Sequence, residues 1–201
     1  VVAVDRAGVP VDLHDIREVI DPLGIVAVED ATDAAGSTYR GRPVGAGAEI
    51  VAWSFGPEAV LTTGEGGMVT TPHGAWAARA TRLRDQALIA PGPGVALPPE
   101  MECREVGWDV RMTDLQAAVG LVQLRRLPAI VDRRRRTAER YRAGIGDVPG
   151  LRAVADPAWG TGNAESFWIV VAELHPLSRD AVLAALTDAG VSARRNGLPV
   201  H

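Results

Sequence analysis

The most informative absence in this sequence is lysine. All 21 basic residues of the 201-residue chain are arginine. A lysine side chain ends in a primary amine, which is the group that condenses with a carbonyl compound to form a Schiff base. Chemistry that depends on a lysine Schiff base therefore has no side chain to perform it within these 201 residues.

Cysteine is also scarce, since Cys103 is the only one. A single cysteine cannot form an internal disulfide, so we expect a reducing, cytoplasmic setting. Cys103 has neither a CxxC partner nor a histidine close by in sequence, which disfavours a catalytic thiol. No metal site is expected either, because the histidines lie far apart and lack metal-ligand spacing. They are His14, His73, His175 and His201.

Long apolar runs and an excess of positive charge are missing as well. No stretch approaches the roughly 18 apolar residues that suggest a membrane span, and the formal net charge is −4. We therefore expect neither a membrane nor a nucleic acid as a partner. The chain begins with VVAV rather than with methionine, and we interpret it as a fragment or a partial gene product.

Short apolar runs alternate with helix-like segments in the first half, a pattern that predicts an α/β fold. A long amphipathic segment from residue 113 predicts a helix that Pro128 should bend or split in two. Its arginine run, 133–136, could suggest a nucleic-acid patch, but flanking acidic residues favour a solvated helix face. Predicted strands lie at 1–4, 25–28, 50–55, 67–71, 151–154, 167–171 and 191–194, and further helices at 12–20, 74–87 and 179–189.

The expected organisation has three parts. Residues 1–112 form part of a large domain, 113–145 a long bent connecting helix, and 146–201 an incomplete α+β small domain. The proline- and glycine-rich residues 88–104 predict a loop within the first part.

Three segments carry a resemblance to a known family. They are EDATDAAGSTYRGRPVGAGAEIVAWSF (29–55), LTTGEGGMVTT (61–71) and EVGWDVRMTDLQAAVGLVQLRRL (105–127). Together with the terminal GVSARRNGLPVH they resemble the DegT/StrS family of nucleotide-sugar aminotransferases. The resemblance implies the fold type I architecture, a mostly parallel sheet with flanking helices and a small domain. It also implies pyridoxal phosphate as cofactor and a dimer whose subunits share the active site.

Two cofactor-binding residues of the family are matched by the same residue type here. Asp30 matches the aspartate that faces the pyridine nitrogen and keeps it protonated. Ser54 matches the serine that contacts the cofactor phosphate. The turn 62–67 follows the family's lysine position, and it lacks the Gly-Lys-Ser ending of a nucleotide P-loop.

Three other positions depart from the family pattern. The family's Schiff-base lysine stands five residues after the serine, and Ala59 occupies that position. Asp109 replaces an asparagine that contacts the phosphate; a carboxylate about 4 Å from a phosphate charge would cost roughly 4 kcal/mol at an effective dielectric near 20. Asp33 replaces a glutamine or histidine beside the ring oxygen. Together these departures predict a degenerate site.

The sequence thus favours an aminotransferase-family protein of nucleotide-sugar or secondary-metabolite biosynthesis that lacks transaminase activity. Three alternatives stay open. The chain could be a non-catalytic dimerisation partner of an active relative, a lysine-independent enzyme that binds pyridoxamine phosphate or a sugar nucleotide, or a decayed gene product.

Overall fold

The computed structural model describes residues 1–87 and 105–195, so the predicted loop at 88–104 lies outside the described residues. The chain divides into two compact units. The first comprises Val1–Arg135 and Asp156–Ser166, and the second comprises Arg136–Ala155 and the residues from Phe167 onward. The long helix α3 (Asp114–Ile145) contributes residues to both units.

A four-stranded sheet forms the centre of the first unit. Its order is β1 (Val2–Val4), β2 (Val28–Asp30), β5 (Ile50–Ser54) and β6 (Gly67–Thr70). The first three strands are parallel, and β6 is antiparallel to β5. The mostly parallel sheet expected from the sequence is therefore present.

The two faces of this sheet differ in their exposure to solvent. Ala3, Glu29 and Val51 are neighbours in register and are all buried. Ala3 and Val51 belong to the core that also contains Leu13 and Ile20 of helix α1 (Leu13–Ile20). Because side chains alternate along a strand, the residues on either side of these three face the opposite way. Among them, Val2 and Val4 are 64% and 45% exposed.

A second, smaller sheet has three short strands, two near residue 40 and one near residue 160. Strand β3 (Thr38–Tyr39) pairs with β4 (Arg42–Pro43) on one side and with β8 (Gly160–Thr161) on the other. None of these three strands is among those predicted from the sequence. Two-residue strands carry no readable alternation, and β8 lies more than a hundred residues away in sequence, so this sheet was missed.

Helix α2 (Gly74–Arg84) follows the central sheet, and α3 begins after the described segment 105–113. Pro128 lies inside α3, which runs through it as one helix, so the splitting alternative is wrong. Proline lacks an N–H and removes one helical hydrogen bond, but the bonds on either side persist. No helix in the described ranges is long and apolar enough to cross a membrane.

The arginine run contacts backbone rather than only solvent. Arg135 donates from Nε to the carbonyl of Gly162 at 2.8 Å and from Nη2 to that of Gly36 at 3.3 Å. Arg134 donates to the carbonyls of Ala164 and Glu165. The expectation of a solvated helix face is therefore wrong for these two arginines, because each satisfies carbonyl groups of the first unit.

Besides the end of α3, the described part of the second unit contains a two-stranded antiparallel sheet and one further helix. Strand β7 (Leu151–Ala153) pairs with β9 (Ile169–Val171), and α4 (Arg179–Asp188) follows, with Ser178 capping its first turn through Ala181 N–H. The strand predicted at 191–194 does not form. A strand needs a neighbour for its backbone hydrogen bonds, and these residues have no ladder partner among the described residues.

Candidate functional site

The central sheet brings Asp30 and Ser54 to the same edge. Asp30 is the last residue of β2 and Ser54 the last of β5. Asp30 is in register with Ala52, and two residues further along the same face is Ser54. From strand spacing and rise, their Cα atoms are about 8 Å apart. Both side chains are half-buried and, by the alternation of side chains along a strand, lie on the face opposite the core.

Local backbone contacts orient both side chains. Thr32 N–H donates to Asp30 Oδ1 at 3.2 Å. Gly56 N–H donates to Ser54 Oγ at 3.3 Å, which leaves the Ser54 hydroxyl hydrogen available to a ligand. A carboxylate and a hydroxyl donor at one sheet edge suit a ligand with a protonated ring nitrogen and an anionic group.

The loop that contains Ala59 is closed by backbone hydrogen bonds. Phe55 N–H donates to Gly66 O, Thr63 N–H donates to Phe55 O, and Ala59 N–H donates to Gly56 O, at 2.9, 3.0 and 3.1 Å. The next residue, Val60, is buried. Ala59 therefore occupies a defined position in a closed loop, and its methyl group provides no amine.

The start of α3 is tied to the turn after this loop. Thr113 and Gln116 form a capping box, in which Gln116 Oε1 accepts from Thr113 N–H at 2.9 Å and Thr113 Oγ1 accepts from Gln116 N–H at 3.3 Å. The Gln116 amide also donates to Glu65 O at 2.9 Å. Residues 62–67 are thereby fixed to the first turn of α3, a contact that the sequence analysis did not anticipate.

Asp33 stabilises a turn instead of standing free. Its Oδ2 accepts from Ala7 N–H at 3.0 Å, and Arg6 Nη1 lies 3.8 Å from the same oxygen. Ala7 has a positive φ of 56°, a conformation that is costly for alanine. The carboxylate compensates part of that cost by satisfying the Ala7 N–H.

Asn163 is a residue that the sequence analysis missed. It is fully buried, and its amide donates to Asp33 O at 2.7 Å and to Ala35 O at 3.0 Å. Its Oδ1 accepts from Glu165 N–H at 2.8 Å. Asn163 therefore fixes the backbone of the Asp33 segment, and a lone asparagine far along the chain gave no signal of this role.

Asp109 belongs to a different cluster, at the end of α2. Its carboxylate accepts from Gln86 Nε2 at 3.3 Å and from Arg111 Nε at 3.4 Å. Arg111 also lies 3.1 Å from Asp85. These side chains are mostly exposed, so the ion pairs contribute little stability, but the charge of Asp109 is partly compensated within its own segment.

A cavity of about 530 Å³ lies elsewhere, against the small sheet. Asp12, Arg40 and Trp159 line it. Arg40 Nη2 is 3.3 Å from Asp12 Oδ1, which also accepts from the Tyr39 hydroxyl, so the charged groups of this cavity are already paired. It is separate from the edge that carries Asp30 and Ser54.

Comparison with known proteins identifies the fold and the family. The model of the DegT/DnrJ/EryC1/StrS aminotransferase family matches residues 1–201. The chain belongs to this family. The aminotransferase TlmJ from Streptoalloteichus hindustanus is 35% identical, with a TM-score of 0.82 over 94% of this chain and 49% of its own. The chain thus spans about half the length of that relative.

Two further structures of the family's fold are informative. S. venezuelae DesV, solved in complex with a ketimine intermediate, is 29% identical with a TM-score of 0.82, over 95% of this chain and 48% of its own. The E. coli GDP-4-keto-6-deoxy-D-mannose-3-dehydratase, solved with bound hydrated pyridoxal phosphate, is 23% identical. Its TM-score of 0.85, over 96% of this chain and 52% of its own, shows the same fold. The chain therefore has the fold type I architecture of pyridoxal-phosphate-dependent sugar aminotransferases.

The residues present do not fit covalently held pyridoxal phosphate. Asp30 and Ser54 offer suitable groups for the ring nitrogen and the phosphate. Ala59, however, has no amine, Asp33 is engaged with Ala7 N–H, and the Asp109 carboxylate is engaged with Gln86. The site therefore has no side-chain amine to which the cofactor could be covalently attached.

Proposed function

We propose that this chain is an aminotransferase-family protein of nucleotide-sugar or secondary-metabolite biosynthesis that does not transaminate by itself. One observation carries the proposal: the chain has no lysine, and we assign Ala59 to the family's Schiff-base position from the resemblance. The missing amine is both the covalent anchor and the proton carrier of the family reaction. Loss of a positioned proton-transfer group alone lowers rates by roughly 100- to 10,000-fold.

The charges of the substituted positions support the same proposal. Asp33 and Asp109 each add a carboxylate relative to the neutral side chains of the family. A second negative charge near a phosphate or a phenolic oxygen disfavours binding of both groups. Asp30 and Ser54 retain the family residue types, so we propose them as the remaining ligand-facing groups.

The absence of lysine makes a sharp test possible. Pyridoxal phosphate is titrated into the unaltered chain and into Ala59→Lys, the mixtures are reduced with borohydride, and pyridoxyl adducts are mapped by peptide mass spectrometry. Because no other lysine exists, any lysine adduct in the variant belongs to residue 59. We expect no saturable adduct in the unaltered chain and only weak labelling of Ala59→Lys.

Ala78→Lys is the matched control, since Ala78 is exposed on α2, away from the Ala59 loop. Labelling of Ala59→Lys should resemble that of Ala78→Lys. Saturable pyridoxal phosphate binding by the unaltered chain would contradict the proposal. Tight labelling of Ala59→Lys alone would show that the rest of the pocket is intact and that only the lysine is lost.

A second candidate function is supported by a surface of apolar side chains. Val106, Trp108, Val110 and Leu115 are 81%, 58%, 64% and 82% exposed. Large exposed apolar patches mark interaction sites. We propose that residues 105–127 contact a second aminotransferase-family chain, either another copy or a relative, and that this chain acts as a dimerisation partner.

Sedimentation velocity at high micromolar concentration tests this second function. A dimer is expected for the unaltered chain, and Leu115→Arg should weaken it, because a charge would be buried at the interface. Glu139→Arg serves as the control for the change of charge, since Glu139 lies on an exposed position of α3 outside 105–127. A monodisperse monomer, with no relative bound, would remove the basis of the partner function.

The lysine-independent alternative has a distinct signature. Saturable binding of pyridoxamine phosphate or of a sugar nucleotide without any adduct would favour it over an inactive chain. We infer a cytoplasmic location from the single cysteine, as the sequence analysis proposed.

A further inference from the structure

Two acidic side chains are buried on the core face of the central sheet. Asp5 is 1% exposed and Glu29 is 3% exposed. Ala3, in register with Glu29, points to the same face as Asp5, since Ala3 and Asp5 are two positions apart in sequence. Asp5 N–H donates to Asp30 O at 2.9 Å and extends the pairing of β1 with β2. The two carboxyl groups are therefore diagonal neighbours behind Asp30.

The hydrogen bonds of this pair are incomplete. Asp5 Oδ1 accepts from Val11 N–H at 2.9 Å, and Glu29 accepts from the backbone of Gly45. Asp5 Oδ2 and Glu29 Oε2 are buried and have no donor among the described residues. A buried acceptor without a donor costs roughly 1–3 kcal/mol. The two side chains lie within hydrogen-bonding reach of each other, so one proton between them would give both oxygens a hydrogen-bond partner.

The charged groups around the pair do not neutralise it. Asp30, at the end of β2, adds negative charge next to Asp5. Arg6 lies beside Asp33, and Arg17 of α1 is bonded to Asp21 and Glu49. The remaining charged residues at this side are paired on the surface: His14 with Glu18, and Arg40 with Asp12 and Asp15.

The pKa values of both carboxyl groups are raised. Burial, with a smaller contribution from the charge of Asp30, raises the pKa of Asp5 to about 6 against the lowering effect of Val11 N–H. Burial and then repulsion by Asp5 raise the pKa of Glu29 to about 7. The two groups titrate as a pair rather than as independent residues.

We propose that Asp5 and Glu29 share one proton in weakly acidic solution and that this proton is a pH-sensitive lock on the β1–β2 junction that carries Asp30. When the pair loses the proton to solvent, two negative charges face each other in the core. Their repulsion loosens the end of β1 and the adjoining turn at Arg6–Gly8, which Asp33 stabilises.

The direction of the pH effect follows from the raised pKa values. The folded pair binds a proton more tightly than the unfolded chain, so the stabilisation is complete below the ordinary pKa near 4. It is lost as the pH rises through about 6 to 7. For one shared proton, the folding equilibrium constant should fall about 30-fold between pH 5 and pH 8.

Urea unfolding from pH 5 to pH 8 tests the lock on the unaltered chain, Glu29→Gln and Glu18→Gln. A glutamine at 29 donates an N–H to Asp5 without a titrating proton, so the 30-fold fall should disappear. Glu18→Gln changes an exposed carboxylate and should retain it. A slope that is flat or rising with pH in the unaltered chain would overturn the proposal.

Infrared spectroscopy of the unaltered chain gives a readout that needs no variant. A protonated carboxylic acid band should persist at pH 6.5, where exposed carboxylates are ionised, and should vanish by pH 8. The protection of Asp5 and Ala7 N–H against hydrogen exchange, relative to the unfolded chain at the same pH, should fall over the same interval. Absence of the band at pH 6.5 would show that no proton is shared.

Discussion

Replacement of Asn163 should produce the largest single loss of stability in the first unit. Its side chain is fully buried and makes three hydrogen bonds, to Asp33 O, Ala35 O and Glu165 N–H. Asn163→Ala leaves two carbonyl groups and one N–H without these partners. At about 1–3 kcal/mol for each unsatisfied group, and with partial compensation by water entering the space, we expect a loss of about 3–5 kcal/mol. Asn163→Asp should cost at least as much at neutral pH, because it sets carboxylate oxygens against two carbonyls.

Urea unfolding followed by tryptophan fluorescence measures this loss. Trp159 belongs to the same unit and donates from its indole nitrogen to Pro10 O at 2.9 Å, so it reports on the region directly. Arg42→Ala is the control, since its contact with Ala46 O is exposed and should contribute less than about 0.5 kcal/mol. A loss under about 1 kcal/mol for Asn163→Ala, or one no larger than that of Arg42→Ala, would refute this role of Asn163.

Two further outcomes are expected. Gly8→Ala should be strongly destabilising, because Gly8 has a φ of 78° and an added Cβ would lie 1.9 Å from Asn163 Oδ1. Gly24 has a φ of 66° but lies in open space, so Gly24→Ala should lower the free energy of unfolding in urea by only about 1–2 kcal/mol. When Asp109→Asn and Asp33→Gln are added to Ala59→Lys, pyridoxal phosphate should label the protein at about tenfold lower concentration than the single variant. That change corresponds to about 1.4 kcal/mol of relieved repulsion. Equal labelling would show that these carboxylates do not govern binding.

The parts of the fold that follow short-range rules were predictable. The apolar run ending at Ser54 gave β5, and the run after Gly67 gave β6. Strand β2 was placed too early, at 25–28 instead of Val28–Asp30. Acidic residues are rare in strands, yet Glu29 is held in the ladder by tertiary contacts that override its propensity.

The candidate site was predictable only where strand ends define it. Asp30 and Ser54 stand at the ends of two strands, so their common edge followed from the pattern. The contacts of Asp33 with Ala7 and of Asn163 with the Asp33 segment depend on residues up to 130 positions apart. Hydrogen bonds of that range leave no periodic signal in a single sequence.

The dual role of Gln116 has a consequence for local motion. Helix ends usually fray on their own, at little cost to the rest of a protein. Gln116 contacts Thr113 within α3 and Glu65 in the turn 62–67, so fraying of this end breaks the attachment of the turn as well. We therefore expect the first turn of α3 and the turn 62–67, which follows the loop containing Ala59, to open together in local unfolding.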